Sequence, residues 1–595
     1  MEFGTEPPAG GGPPGPHVRF CAHFRRPVIA WKGIRVRRWR TALIGAAALA
    51  ALLAPAPAAA ADPGGTTKTG PGGTAKPSRP AASIGHSKIK ASARGAAADH
   101  TVTIRGIDID GTPVAPLATL IDPASGAEYP LTQAGDTLTA LVPAGTYDLT
   151  AIVLTGDPAN PRDLALYGNP ALSVSADADI TMDARTATEL KAVSPSTTAT
   201  EVNSHAQLVR TIAGQQISST ITGTPTTSLR AWPSAATTRP YHFLYVESQS
   251  EPLTTQPAPR VYNLAFPTSG RIPATLTFTA APGSLALVNT TYASQGVPSN
   301  GVGPHSTIVD FEGIGESVMG LSHAATAPSA QRIYYTADGV TWNGNFFYQT
   351  ANVQIAQRHT RQQDYAPGAT YAETWNKAAF GPTMKTGHGQ GLLLARPLIA
   401  DTGTPFHENF GGNYSNGTTG TLTLYRDGQL VGQSTNPLAG NWDVPAEAAT
   451  YRLDLSLQRS VGWSNYVSSI DARWTFPSAE RPGDPFEDQR GLLQPRITGD
   501  YDSTGRAPSG VTFPLDVVVE RAPNGSAVTS ATLEASFNNG ATWTTVALTP
   551  NGTDRWTANV AHPTTHNGYV ALRFKAADGS GNAVQQTVTR AYGLR

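Results

Sequence analysis

The chain has 595 residues, and its 43 Lys and Arg are balanced by 43 Asp and Glu, so the formal net charge is zero. That length exceeds one hydrophobic core and implies roughly three to five domains. Only 14% of residues are charged, while Gly (59) and Pro (48) make close to a fifth of the chain. This is the composition of a turn-rich β protein, and a balance this neutral argues against a nucleic-acid partner held by a basic surface.

The first predicted element is an export signal. "RVRRWRTALIGAAALAALLAPAPAAAADPGG" places Arg35, Arg37, Arg38 and Arg40 before an apolar run from Ala42 to Leu53, followed by Ala59-x-Ala61. A basic region, an apolar region and a small-residue cleavage site in this order form a secretory signal peptide. Residues 1–61 are therefore expected to be the signal with an N-terminal extension. The apolar run is shorter than the roughly 20 residues a membrane span needs. Arg37-Arg38 matches a twin-arginine signal only in the pair itself, because the usual polar neighbours are absent. The one cysteine, Cys21, precedes the cleavage site and follows Val18-Arg19-Phe20, which is no lipobox. The exported chain is then thiol-free, carries about −6 net charge, has no membrane span and rests on its packed cores.

Residues 62–99, rich in Gly, Pro, Lys and Thr, are expected to be a disordered linker. From His100 the pattern changes. "TVTIRGIDIDGTPV" alternates and turns at Asp110-Gly111, and "DTLTALVPAGTYDLTAIVL" sets Tyr147, Leu149, Ala151 and Val153 on one face. Period-two alternation bounded by Gly and Pro predicts half-buried strands. The strand-turn-strand "VPAGTYDL" resembles the small carboxypeptidase-regulatory-like (transthyretin-like) sandwiches, so 100–190 is read as one such domain.

Residues 200–380 read as a β-rich domain, with "QRIYYTADGVTWNGNFFYQ" expected to be a hairpin on Asp338-Gly339. In 385–480, a further β-sandwich, "GTLTLYRDGQLVGQ" is a hairpin on Asp427-Gly428 and "ATYRLDLSLQR" alternates Tyr451, Leu453, Leu455 and Leu457. Residues 495–595 carry short strands and regular turns, the pattern of an immunoglobulin-like sandwich, with tips expected at Asn539-Gly540 and Asp578-Gly579. The expected fold is all-β, built of tandem β-sandwich domains.

Several segments carry protease vocabulary. "TGHGQGLLLARPLIADTGTP" places His388 and Asp401 in settings similar to subtilisin-like histidine and aspartate signatures. The triad order fails, because His388 precedes Asp401 by 13 residues and no G-T-S-M stands anywhere. The nearest elbow serine, Ser317 in "GIGESVMG", has Met319 where glycine belongs, and a pepsin-like site needs two D-T-G copies sharing a proton where this chain has one. "GHGQG" and "DTGTP" are therefore expected to be loops. A site in 200–410 using Ser317, His323 or His359 with Asp310 is the alternative.

His407-Glu408 lacks the second histidine of H-E-x-x-H, and Asp177, Asp179, Asp183, Asp500 and Asp502 match no twelve-residue calcium loop. The aspartates are expected to be solvated turn residues. "SFNNGATW" resembles the Asp-box S-x-D-x-G-x-T-W of sialidase propellers, with Asn538 in place of aspartate, and is read as a hairpin with Trp543 on its turn. Trp342, Phe346, Phe347, Tyr348, Trp463 and Tyr466 would serve glycan stacking if exposed, but sandwiches bury such residues and the core reading is adopted. No catalytic, cofactor or metal residue is assigned.

"GTLTLYRDGQLVGQS", "LLQPRITGDYDSTGRAP" and the closing "TVTRAYGLR" resemble the C-terminal accessory region of large secreted subtilisin-like serine proteases of actinomycetes; "TVTIRGIDIDGTPV" is similar to the sandwich that follows their catalytic domain. The resemblance covers about 100–190 and 385–595 and carries no catalytic residue. It implies a secreted, extracellular, non-catalytic binding or accessory protein, whose partner is an extracellular protein or a cell-wall or polysaccharide ligand; the alternatives are a secreted hydrolase and a carbohydrate-binding protein.

Overall fold

The structure, a computed structural model, describes residues 81–91, 99–311, 315–350, 353–359, 362–401, 407–410, 417–483, 485, 492–522 and 525–595. All of them belong to one compact unit, Pro71–Arg595. The expected signal peptide, Cys21 and the first part of the linker lie outside the described residues. Among those described there is no α-helix, only strands and two single 3₁₀ turns, Ala184–Thr186 and Pro282–Ser284. The protein is all-β, with tandem sandwiches.

The first sandwich is built mainly from strands between His100 and Glu189, with Ile89–Lys90 and Ser228–Ala231 added to one of its sheets. His100–Ile107 lies between Thr137–Val142, antiparallel, and Ala178–Asp183, parallel. Val102 and Ile104 point inward onto Leu149, Ala151 and Val153 of the strand Gly145–Asp157. That strand and its partner Asn160–Val174 are buried on both faces. Ile152, Leu164 and Leu166 face the other way, onto Ala206, Leu208, Phe243 and Tyr245 of the next domain. The boundary near 190–200 is therefore a shared layer. Ser228–Ala231, from the 200–380 segment, pairs in parallel with Asn160–Val174 through Asp163↔Ser228.

The disordered-linker expectation for 62–99 is corrected over 81–91. Ala82–Ser83 pairs with Ile221 and Thr220, and Ile89–Lys90 pairs with Ala127 and Glu128, so the segment straps one sandwich to the next. Low apolar content does not prevent this, because backbone N–H and C=O groups pair on a sheet edge whatever the side chain. Gly85 sits between the two strands where a Cβ would lie 2.4 Å from the Ser218 carbonyl oxygen.

The middle segment builds an eight-stranded sheet that includes Thr200–Ile212, Tyr241–Ser250, Arg260–Ser269 and Ser329–Thr336. The hairpin expected at Asp338-Gly339 is not one. Ser329–Thr336 pairs with Leu285–Tyr292 and Arg260–Ser269, whereas Thr341–Thr350 pairs with Ser299–Phe311 and Val353–His359. The turn carries the chain from one sheet to another, which puts Tyr335 and Trp342 in edge contact, ring centroids 5.0 Å apart.

The 385–480 and 495–595 segments are likewise joined. Ser469–Ser478 pairs with the last strand, Ala583–Leu594, through Ser469↔Thr589, making one nine-stranded sheet. Ile470, Ala472, Trp474 and Phe476 bury one face of Ser469–Ser478, and its two edges pair with Ala449–Arg459 and Ala583–Leu594. The C-terminal sandwich closes Leu533, Phe574 and Val588 of this sheet over Val517, Val519 and Val560 of a four-stranded sheet.

Asp427-Gly428 is a tight tip with φ of 49° and 82°, and Asn539-Gly540 lies in the loop between Val528–Ser536 and Thr544–Val546 with φ of 56° and 88°. At the third tip the left-handed residue is Gly581 (φ 84°), not Gly579.

Candidate functional site

"GHGQG" is not a loop. Phe380–Gly389 and Leu392–Asp401 form a hairpin on Gln390-Gly391. His388 stands opposite Leu393 near the tip and Asp401 opposite Phe380 at the far end. Eight strand residues separate the two levels, about 26 Å at 3.3 Å per residue, so they form no dyad. His388 is fully buried and meets a serine the sequence did not single out: its Nδ1 lies 3.0 Å from Ser478 Oγ. Ser478 is buried too, and Tyr451 packs edge-on against the imidazole at 5.5 Å. The Asp401 carboxylate accepts the Lys377 N–H at 2.8 Å. Residues 402–405 of "DTGTP" lie outside the described residues.

The alternative set in 200–410 is also dispersed. Ser317 and His323 lie on one strand, Gly315–Ala327, six residues or about 20 Å apart. Ser317 Oγ donates to Gln207 Oε1, and His323 Nε2 lies 3.3 Å from the Tyr292 hydroxyl. Burial lowers the His323 pKa to about 4, which leaves it a weak base at neutral pH. Asp310 is exposed and pairs opposite Glu316, while His323 stands opposite Gly303. His359 and His407 face each other in register; their side chains lie outside the described residues.

Four of the five aspartates have local partners, and Asp179 and Asp183 stand in the strand Ala178–Asp183 rather than in a turn. Asp177 accepts the Thr101 N–H at 2.8 Å, Asp179 pairs with Arg105, and Asp183 holds Arg185. Asp502 belongs to a device that the turn signals only half revealed. In D-I-D-G-T, D-S-T-G-R and D-G-S-G-N, beginning at Asp108, Asp502 and Asp578, the first carboxylate accepts N–H groups two and four residues on. The fourth residue is a left-handed glycine each time: Gly111, Gly505 and Gly581. "SFNNGATW" is similarly self-bonded, with Asn538 Oδ1 accepting the Thr542 N–H at 2.9 Å. Trp543 lies under the Arg573 guanidinium, 4.0 Å from the ring centroid.

Trp342, Phe346, Trp463 and Tyr466 are core residues. Trp342 Nε1 donates to the Thr336 carbonyl at 2.7 Å. The side chains of Phe347 and Tyr348 lie outside the described residues.

What the topology does expose is the outer face of the nine-stranded sheet. Cross-strand register lines up Arg473, Gln585, Lys575 and Thr532 from four adjacent strands, all exposed, and beside them Thr475, Ala583, Ala577 and Ser530. The second row is short in its middle, so a trough of about 340 Å³ opens there. Arg473 is tied to Asp454 at 2.8 Å, which raises its pKa, and Arg573, further along the face, to Glu534 at 3.2 Å. Among the described residues Lys575 has no carboxylate at ion-pair distance. A second, more open groove holds Lys377 and Asp500, with Asp516 and Arg555 paired at 2.7 Å on its floor.

No family model matches the chain, and no curated protein matches it. Among solved structures, the N-terminal eight immunoglobulin domains of Down syndrome cell adhesion molecule align over 84% of this chain and 74% of that one, at 10% identity and a TM-score of 0.14. A mutant Salmonella α-2-macroglobulin aligns over 84% of this chain and 40% of its own, at 9% identity and a TM-score of 0.16. Trypsin-activated α-2-macroglobulin from Escherichia coli aligns over 84% and 49%, at 9% identity and a TM-score of 0.13. The chain spans less than half of either macroglobulin, and likenesses this distant assign neither a family nor a ligand.

Proposed function

We propose that this chain is a secreted, non-catalytic, multi-domain β-sandwich binding protein, related to the accessory regions of subtilisin-like proteases. The observation that supports it best is the trough on the nine-stranded sheet: four strands from two sequence segments present hydroxyl, amide and cationic groups to solvent in register. His388, Asp401 and Ser317 stand on three different strands and hydrogen-bond to Ser478, the Lys377 N–H and Gln207, not to one another. A site of this kind holds a polymer rather than activating a nucleophile, which needs a serine, a base and an orienting group within reach of one another.

The test has two arms on purified protein. A fluorophosphonate probe with a casein assay reads out serine hydrolysis, and pull-down on peptidoglycan, chitin, cellulose and acidic polysaccharide gels reads out binding. Retention on one polymer without probe labelling is expected. Stoichiometric labelling of a serine overturns the reading in favour of a hydrolase with its site in 200–410.

A further inference from the structure

We infer that the trough binds an acidic polysaccharide, a chain of uronic acid residues, through Lys575. This rests on the binding-protein reading above. The first row places a guanidinium, an amide, an ammonium and a hydroxyl on successive strands: Arg473, Gln585, Lys575 and Thr532. Asp454 already holds Arg473, whereas Lys575, two strands away, has no carboxylate partner among the described residues. The ammonium is thus a solvent-facing charge open to a carboxylate supplied from outside. Two strand spacings make about 10 Å, the length of about two sugar rings, so a carboxylate on Lys575 leaves the next sugar over Gln585 and Arg473.

The surroundings select a sugar over the other acidic polymers. Thr475, Thr532, Ser530 and Gln585 offer hydroxyl and amide groups that both donate and accept, which suits sugar hydroxyls. Ala577 and Ala583 keep the floor low and smooth, and neither row contains an aromatic ring. A neutral glucan, which is gripped mainly by stacking, has no platform here. An acidic peptide fits poorly for a different reason. Peptides bind sheets by adding a strand to an edge or by filling apolar pockets. The central strands of this face, Ser469–Ser478, Ala583–Leu594 and Tyr569–Asp578, are each paired on both sides and have no edge to offer.

Affinity electrophoresis and calorimetry of the full chain test this with polygalacturonate and alginate. The comparison ligands are amylose, hydroxyethylcellulose and polyglutamate. Binding to a polyuronate that weakens with salt is expected, with Lys575→Gln losing about tenfold in affinity, as for removal of one charge-assisted hydrogen bond. Arg271→Gln, an exposed charge distant in sequence, is the control and keeps full affinity. Equal loss in both variants, or polyglutamate binding as tightly as the uronates, overturns the proposal. Binding to a neutral glucan alone overturns it while leaving the binding-protein reading intact. Probe labelling of a serine, with no retention on any polymer, overturns both.

Discussion

Asp148 and Arg210 form an ion pair, Oδ1 to Nε 2.9 Å, with both side chains fully buried where the first sandwich meets the second domain. Arg239 closes on the other carboxylate oxygen, Oδ2 to Nη2 2.9 Å. One carboxylate thus serves two guanidiniums. Asp148→Asn would leave both cations facing a neutral amide, and breaking a buried pair in this way costs about 3–5 kcal/mol. Denaturant unfolding should show that loss, with the first sandwich and its neighbour unfolding together because they share a layer.

The Asp578 turn separates two neighbouring glycines. Gly581 sits at φ 84° with open space around its Cα, whereas Gly579 is not left-handed and an added Cβ would only touch Thr529 at 4.0 Å. Gly581→Ala should cost about 1 kcal/mol, and Gly579→Ala should be neutral or slightly stabilising. Asp578→Ala removes the acceptor for three donors, at 2.7 to 2.9 Å, and should cost about 1–2 kcal/mol. Melting temperatures of the three variants check the order.

Those two cases show what was legible in the sequence. Alternation such as Tyr451-Leu453-Leu455-Leu457 reports which face is buried, and all four are buried. It says nothing of which strand lies alongside. The pairing of Ser469–Ser478 with Ala583–Leu594 joins segments over 100 residues apart and leaves no local mark. Ile152 could not be assigned to a second core, because a strand buried on both faces reads as a plain apolar run. The trough leaves no local mark either, because Arg473, Lys575 and Thr532 come together only through cross-strand register.

The strap over 81–91 makes Gly85 a sensitive position. A Cβ there would lie 2.4 Å from a backbone oxygen and 2.6 Å from Ile217 Cγ2, and backbone cannot step aside as a flexible side chain can. Gly85→Ala should release the strap locally while leaving the cores folded. Hydrogen exchange should quicken at Thr222, whose N–H bonds to the Ala81 carbonyl, and proteolysis should begin near residue 85.

Glu201 makes stability pH-dependent. Burial, with added repulsion from Glu247 and Glu189, raises its pKa to about 7 against the ordinary 4.5, despite the hydrogen bond from Ser204. A carboxyl with a raised folded pKa binds more protons folded than unfolded between these values. Its contribution therefore favours the folded state at low pH and turns against it as pH rises from 4.5 to 7. Glu201→Gln removes that penalty. Relative to the parent, the variant should gain stability progressively from pH 4.5 to 7, reaching up to about 3 kcal/mol. His323, with its pKa lowered to about 4, acts in the opposite sense, since its unfolded form takes up protons first as pH falls below 6.5. The parent curve should thus be flatter over this range than that of Glu201→Gln, which urea unfolding at several pH values would show.

His388 and Asp401 should matter for stability and not for hydrolysis. The hairpin register holds them about 26 Å apart, and no small movement changes the pairing of Phe380–Gly389 with Leu392–Asp401, because a slip would turn every inward residue outward. His388 instead fills a buried space between Ser478 and Tyr451. Its removal as His388→Ala leaves the Ser478 hydroxyl short of a partner and opens a cavity, together about 2–4 kcal/mol. Asp401→Asn should cost less, since an amide oxygen can still accept the Lys377 N–H. Casein and chromogenic peptide assays of the parent and both variants should give the same background rate. A parent rate above background that disappears in His388→Ala, at a temperature where the variant remains folded by circular dichroism, would restore the protease reading of this hairpin.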